Sequence, residues 1–172
     1  MNSGSEHGSP EDTVWAAWLE KHGPALLLFA RQQSRSEADA QDLLQEAMVE
    51  SWRNQPPASA PPVSIVFRIL RHRAIDRARR DDRRAAREIS GEETPAQFWF
   101  DSNAEDRERD LLIQKAMTQL PDIYREVLTL KIWAGLTLSE IAETVGVPPN
   151  TAASRYRYAL KEMAKLMKEV CQ

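Results

Sequence analysis

Cysteine is almost absent from this chain of 172 residues. Cys171 is the only one, one residue from the end. A disulfide within the chain is therefore impossible, and a zinc site built on cysteines is ruled against. His7, His22 and His72 are too scattered to form a metal cluster, so no metal and no cofactor is expected. Long apolar runs are missing as well. The longest, Ala25 to Ala30, is far below the roughly 18 residues a membrane-spanning helix needs. No basic stretch followed by a long apolar one opens the chain. Neither a secretory leader nor membrane insertion is expected, and a cytoplasmic location is. No segment alternates convincingly between apolar and polar, so no strand is expected. Neither G-x-G-x-x-G nor a G-K-[ST] ending occurs, and Ser64, Ser90 and Ser139 have no organised histidine partner in sequence. The expectation is a chain that is not an enzyme.

What the chain has is segregated charge. The net charge of −3 hides a balance of −5 over residues 1–64, +6 over 65–87, −6 over 88–110 and +2 over 111–172. The basic residues of 65–87 are Arg68, Arg71, Arg73, Arg77, Arg79, Arg80, Arg83, Arg84 and Arg87, with no lysine among them. Arginine suits forked phosphate contact and stacking on bases. A solvated helix face with Asp–Arg pairs is the bland alternative, and the excess is too one-sided for it.

Along the chain, the first ten residues are polar and Gly/Ser-rich and read as a disordered tail. Helix signals begin at Glu11–Asp12–Thr13 and break at Gly23–Pro24. A second helix carries Leu26, Leu27, Phe29 and Ala30 and stops at Ser34–Arg35–Ser36. A third is expected over Glu37 to Arg53, with Ala40, Leu43, Leu44, Ala47, Met48 and Trp52 spaced for one buried face. The segment NQPPASAPP, Asn54 to Pro62, holds four prolines and no charge and must be a stiff loop. A fourth helix starts near Val63 or Ser64 and runs through the arginines. Residues 88–103 read as an acidic linker whose aromatic cluster, Phe98, Trp99 and Phe100, is expected to dock. Helix returns near Ala104. Pro121 is placed to open the next helix, which Gly135 ends. Ile132, Trp133 and Leu136 are expected in the core. The fold expected is all-α: after a tail at 1–10, two small helical domains, residues 11–87 and 104–172, are joined by the linker.

The stretch from Leu136 to Leu160 reads as a helix-turn-helix. Thr137 or Ser139 caps a short helix with Ile141, Ala142 and Val145 inward. Gly146 stops it, since only glycine enters the left-handed conformation cheaply. Val147 fills the turn, Pro148 and Pro149 end it, and Asn150 or Thr151 opens the second helix. Small residues Ala152, Ala153 and Ser154 would let that helix approach DNA closely, and Arg155 and Arg157 supply charge for phosphate or guanine. Of Tyr156 and Tyr158, one belongs in the core and the other outside. A helix pair of this kind points to major-groove reading.

Three blocks in order resemble the extracytoplasmic-function sigma factors of bacterial RNA polymerase. They are DAQDLLQEAMVESW (Asp39 to Trp52), IVFRILRHRAIDRARR (Ile65 to Arg80) and LPDIYREVLTLKIWAGLTLSEIAETVGVPPNTAASRYRYA (Leu120 to Ala159). The resemblance covers nearly the whole chain after the tail. It implies a subunit that binds core RNA polymerase and directs initiation at promoter DNA through the −10 and −35 elements, under the control of an anti-sigma factor. It implies that Asp39, Asp42, Gln45, Glu46 and Glu50 face the polymerase clamp. The proline loop and the helix after it would hold the separated −10 strand, with Asn54, Gln55 and Ser59 offering edge contacts. Arg68, Arg71, His72, Arg73, Arg77, Arg79 and Arg80 would bind phosphates or stack. Asn150, Thr151, Ser154, Arg155 and Arg157 would read the −35 duplex. Three positions depart from the family pattern: Ile65 stands where an aromatic is usual, His72 where Asn is, and Ala153 where Lys is. The linker acids either mimic RNA phosphates or merely solvate the segment. A stand-alone helix-turn-helix regulator with an N-terminal sensor domain is the rival reading, but it has no use for an arginine helix beside a rigid loop.

Overall fold

The computed structural model describes residues 10–53, 59–85 and 98–170. Residues 1–9 of the expected tail, Asn54, Gln55 and the acidic part of the linker lie outside the described residues, while Pro10, counted in the tail, opens the first helix. Among those described there are seven helices and no strand, as the missing alternation implied.

The first helix, α1, runs unbroken from Pro10 to Gln32 through Gly23–Pro24, where two helices were expected. A proline inside a helix removes one hydrogen bond and crowds the carbonyl four residues back, at about 3 kcal/mol. Here both Pro24 and Glu20, the residue whose carbonyl loses its donor, are exposed. Burial of Leu26, Phe29 and Ala30 on the following turns offsets the rest. Helix α2 spans Glu37–Arg53, as expected. The Ser36 hydroxyl oxygen caps its start by accepting the Asp39 N–H at 3.1 Å. Helix α3 covers Val63–Ala85 and buries Val66, Phe67, Leu70 and Ala74 along one stripe. The Phe67 ring meets Phe29 edge-on, centroids 5.5 Å apart.

The C-terminal half holds α4 (Arg107–Gln119), α5 (Asp122–Ile132), α6 (Leu138–Val145) and α7 (Pro149–Val170). Helix α4 starts three residues later than expected. Pro121 is not the first helical residue but the N-cap of α5, with ψ of 140°. Gly135 turns the chain out of α5 with φ of +68°. Ile132, expected in the core, is half exposed, because it lies one turn beyond Leu128 at the end of α5, where no neighbour covers it.

The two halves share one apolar core. Val127, Leu130, Leu136, Ile141, Ala142, Val145 and Ala152 join the same buried cluster as Leu26, Phe29, Leu43, Phe67 and Leu70. Helix α3 lies against α6, and α1 against α5. The aromatic cluster of the linker docks between the halves, with Trp99 packed on Leu28 of α1 and Met117 of α4, and Phe100 tilted against Trp133.

Candidate nucleic-acid interface

The helix-turn-helix is built from its caps. Thr137 is the N-cap of α6. Its hydroxyl oxygen accepts the Glu140 N–H at 3.2 Å, and Glu140 Oε2 accepts the Thr137 N–H at 2.8 Å. Two of the orphan donors at the helix start are thereby satisfied. Gly146 closes α6 in the left-handed conformation, φ +72° and ψ +43°. Its N–H and that of Val147 both donate to the Ala142 carbonyl. Helix α7 then begins at Pro149, ahead of both expected openers, Asn150 and Thr151.

On α7, Asn150 and Arg157 are exposed, and Thr151, Ser154 and Arg155 are half-buried. The Ser154 hydroxyl donates to the Asn150 carbonyl at 2.9 Å and accepts from Arg157 Nη2 at 3.4 Å. These contacts hold the exposed row of the helix together. Ala152 does not face outward. It is fully buried against protein, so the close approach it was expected to permit is to the core. Tyr156 packs against the core and Tyr158 is exposed, stacked on Tyr124 at 6.3 Å.

The arginines of α3 divide into two groups. Arg68, His72, Arg79 and Arg80 are exposed, with Arg79 4.0 Å from Asp76. Arg71, Arg73 and Arg77 are drawn onto acids of neighbouring helices. Arg73 donates through both Nε and Nη2 to Glu50 Oε2, at 2.8 and 2.6 Å, and this bond raises its pKa further. Arg77 Nη1 donates to the Asp39 carbonyl at 2.9 Å and lies 3.6 Å from its carboxylate. Arg71 reaches across to the C-terminal half and donates Nε to Glu126 Oε1 at 2.6 Å. Ser59 is exposed at the end of the proline loop, and the loop's buried Pro61 accepts a hydrogen bond from the Trp18 indole at 3.0 Å.

Of the acidic face expected on α2, Asp42, Gln45 and Glu46 are exposed, whereas Asp39 and Glu50 are half-buried by their arginines. Gln45, Glu46, Val49, Glu50 and Arg53 line an open groove with Arg73 and Arg80 of α3. Trp52 was expected on the buried face of α2 but is 65 % exposed. It sits seven residues from Gln45, on the same outer face.

Sequence reasoning missed three groups. Glu126 is 9 % exposed, and burial pushes its carboxyl pKa up against the opposing pull of Arg71 and Arg155. The signal was available, since an acid in the apolar run IYREVLTL needs a partner. Arg31 is 8 % exposed and holds Glu37 through Nε and Nη2, the Trp99 carbonyl at 3.0 Å and Asp101 at 2.8 Å. The Trp99 N–H in turn donates to Gln114 Oε1 at 2.8 Å. Nothing local in the sequence marks Arg31 or Gln114 as the two ends of this clasp. Among the described residues no cluster of potential metal ligands occurs, and no helix is long and apolar enough to cross a membrane.

Comparison with known proteins matches residues 18–84 to the model for sigma-70 region 2 and residues 110–163 to that for sigma-70 region 4. The chain is 26 % identical to the ECF RNA polymerase sigma factor SigL of Mycobacterium tuberculosis, over 93 % of this chain and 92 % of that protein. It is 29 % identical to the RNA polymerase sigma factor SigV of Bacillus subtilis, over 75 % and 76 %. Among solved structures it resembles the sigma factor RpoE of Bartonella quintana in complex with the anti-sigma factor NepR, with a TM-score of 0.66, 24 % identity and coverage of 90 % and 96 %. It also resembles CnrH in complex with the cytosolic domain of CnrY, with a TM-score of 0.61, 19 % identity and coverage of 90 % and 88 %. These two likenesses establish the fold.

Proposed function

Because this chain belongs to the extracytoplasmic-function sigma factors of bacterial RNA polymerase, we propose that α3 with its proline loop grips the −10 element while α7 reads the −35 duplex. The observation that carries this reading is a pair of polar, arginine-bearing rows, wholly or partly exposed, on separate helices of one chain. One is Arg68, His72, Arg79 and Arg80 on α3. The other is Asn150, Ser154 and Arg157 on α7. Phosphate contacts fix register and base-edge contacts specify sequence, so each row needs both kinds of group. On α7, Asn150 and the arginines can reach base edges, and Thr151 and Ser154 can bond phosphate or base. On the −10 side, Asn54, Gln55 and Ser59 are the edge-reading residues of the loop.

Arg71, Arg73 and Arg77 join the −10 set only by leaving Glu126, Glu50 and Asp39. In this reading the outer face of α2, with Asp42, Gln45 and Glu46 fully presented and Asp39 and Glu50 shared with α3, docks on core polymerase. The chain acts in the cytoplasm as a specificity subunit without chemistry of its own, and an anti-sigma factor holds it inactive. One structural neighbour was solved in such company, with the anti-sigma factor NepR.

Run-off transcription with core polymerase on a promoter library tests the function. Initiation that depends on this chain is expected. A chain that binds duplex operator unaided and never changes where polymerase starts is a stand-alone regulator instead.

A further inference from the structure

An arginine of the −10 helix is bonded to an acid of the other half. Arg71 of α3 donates to Glu126 at 2.6 Å, and Arg155 of α7 acts on the same carboxylate electrostatically. Glu126 belongs to α5, so the Arg71 bond ties the N-terminal half to the C-terminal one. It does not stand alone. Helix α6 lies against α3, with Thr144 Oγ1 3.5 Å from the Ser64 carbonyl. On the α1 side, Thr129 Oγ1 lies 3.0 Å from Gln32 Oε1.

Two consequences for DNA follow. When a helix-turn-helix docks, its first helix crosses the phosphate backbone. That helix is α6, and α3 covers part of it. An arginine bonded to a carboxylate is also lost to phosphate, and the carboxylate itself repels phosphate at short range. The closed arrangement therefore competes with DNA at a steric level and at an electrostatic one. The junction is also imperfectly satisfied. Gln32 Nε2 is buried there with no hydrogen-bond partner among the described residues. A buried ion pair sacrifices solvation for its attraction, so the Arg71–Glu126 bond does not lock the halves irreversibly.

We propose that Glu126 is an internal stand-in for promoter phosphate: it occupies Arg71, keeps the free chain closed, and gives up this arginine when promoter DNA arrives. The inference rests on reading α3 and α7 as the −10 and −35 helices.

The test uses the full chain carrying Cys171→Ser, Ser64→Cys and Thr144→Cys, with the two new thiols joined by a short cleavable crosslinker. The link holds α3 on α6. The crosslinked chain is expected to lose about tenfold or more in affinity for a promoter duplex, within the usual range of coupling between sites. Run-off transcription is expected to vanish. Cleavage of the linker restores both. In a separate chain, Glu126→Gln is expected to enlarge the radius of gyration measured by X-ray scattering, with helix content unchanged. A crosslinked chain that binds and transcribes like its cleaved form overturns the proposal, as does a Glu126→Gln chain that is folded and as compact as the parent. A cleaved chain that never directs polymerase to a promoter overturns the sigma-factor assignment of α3 and α7 instead.

Discussion

Arg31 Nη1 donates to the carbonyl of Trp99 at 3.0 Å, across 68 residues of sequence, from a side chain that also holds Glu37 and Asp101. The bond fastens the aromatic end of the linker to α1. Trp99 is 8 % exposed and packs on Leu28 and Met117, with the Arg125 guanidinium 5.7 Å from its ring. Trp99→Ala removes this packing and is expected to cost about 3 kcal/mol, the low end for a large aromatic in a core. Arg31→Ala is expected to cost about 2 kcal/mol, since a charge-assisted bond and a buried carbonyl lose their donor while the two acids regain water. Urea unfolding followed by helix signal measures both. A loss under half a kcal/mol for Trp99→Ala would show that the segment is not docked.

The Thr137–Glu140 capping box makes a pH-dependent contribution whose sign is fixed. The Thr137 hydroxyl first, and the Thr137 N–H second, hold the Glu140 carboxyl below its ordinary value of 4.5, against a smaller opposing effect of burial. A folded-state pKa below the unfolded one means that the stabilisation is complete above the unfolded value and fades as pH falls through the folded one. Thr137→Ala is expected to cost about 1 kcal/mol at neutral pH. The difference in thermal midpoint between the parent and Glu140→Ala is expected to shrink steadily as pH drops below 4.5. A difference that is constant from pH 7 to pH 3 would contradict the ionic part of the cap.

Gly146 is needed for its backbone, not for its small size. Its φ is +72°, and a Cβ built there meets nothing within 4 Å. Gly146→Ala is therefore expected to destabilise by about 1 to 2 kcal/mol through conformation alone. Gly146→Asn is expected to cost less, because asparagine tolerates the left-handed region. Equal losses for the two would point to crowding rather than backbone strain.

Local signals made the helices legible, and tertiary ones did not. Glu37–Arg53 could be read to the residue because Ser36 caps one end and a proline loop follows the other. The Gly146 stop of α6 was readable for the same reason, and its cap was narrowed to Thr137 or Ser139, as their physics lies within ten residues. Gly23–Pro24 misled because burial on the next turns outweighs a local penalty that sequence alone must take at face value. Trp52 and Ile132 misled because periodicity defines a stripe but not how far its neighbours extend over it. The pairing of Arg71 with Glu126 and the clasp of Arg31 on Trp99 depend on how the halves pack. No spacing encodes that, so the charge excess on α3 could be seen while its division into exposed and paired arginines could not.

Trp52 separates stability from docking. At 65 % exposure it contributes little to the core, and Trp52→Ala is expected to change stability by no more than about 0.5 kcal/mol. Its outer face continues Gln45 and Glu46, and a large exposed aromatic amid polar groups is the residue type that dominates protein interfaces. Affinity for core polymerase is expected to fall by about 2 kcal/mol, roughly thirtyfold. Competition binding against the parent chain measures it. Unaltered affinity would place the docking surface elsewhere on α2.

The two arginine-bearing rows are separable by salt and by step. Arg157 on α7 is exposed and bonded only weakly, to Ser154 at 3.4 Å. Arg157→Ala is expected to weaken binding to a −35 duplex and to reduce the slope of log affinity against log salt by about 1, the share of one phosphate contact. Opening of the promoter, once bound, is expected to proceed at the parent rate. Arg68 and Arg80 on α3 are exposed without contributing to the core. Arg68→Ala with Arg80→Ala is expected to leave −35 binding and its salt slope intact while reducing the yield of open complex, read by permanganate reactivity of unpaired thymines. Arg73→Ala adds a control on the same helix. Its pair with Glu50 is about 40 % exposed on both sides, so its loss is expected to cost under about 1 kcal/mol of stability. If the α3 and α7 variants fail at the same step with the same salt slope, the two helices do not divide the promoter between them.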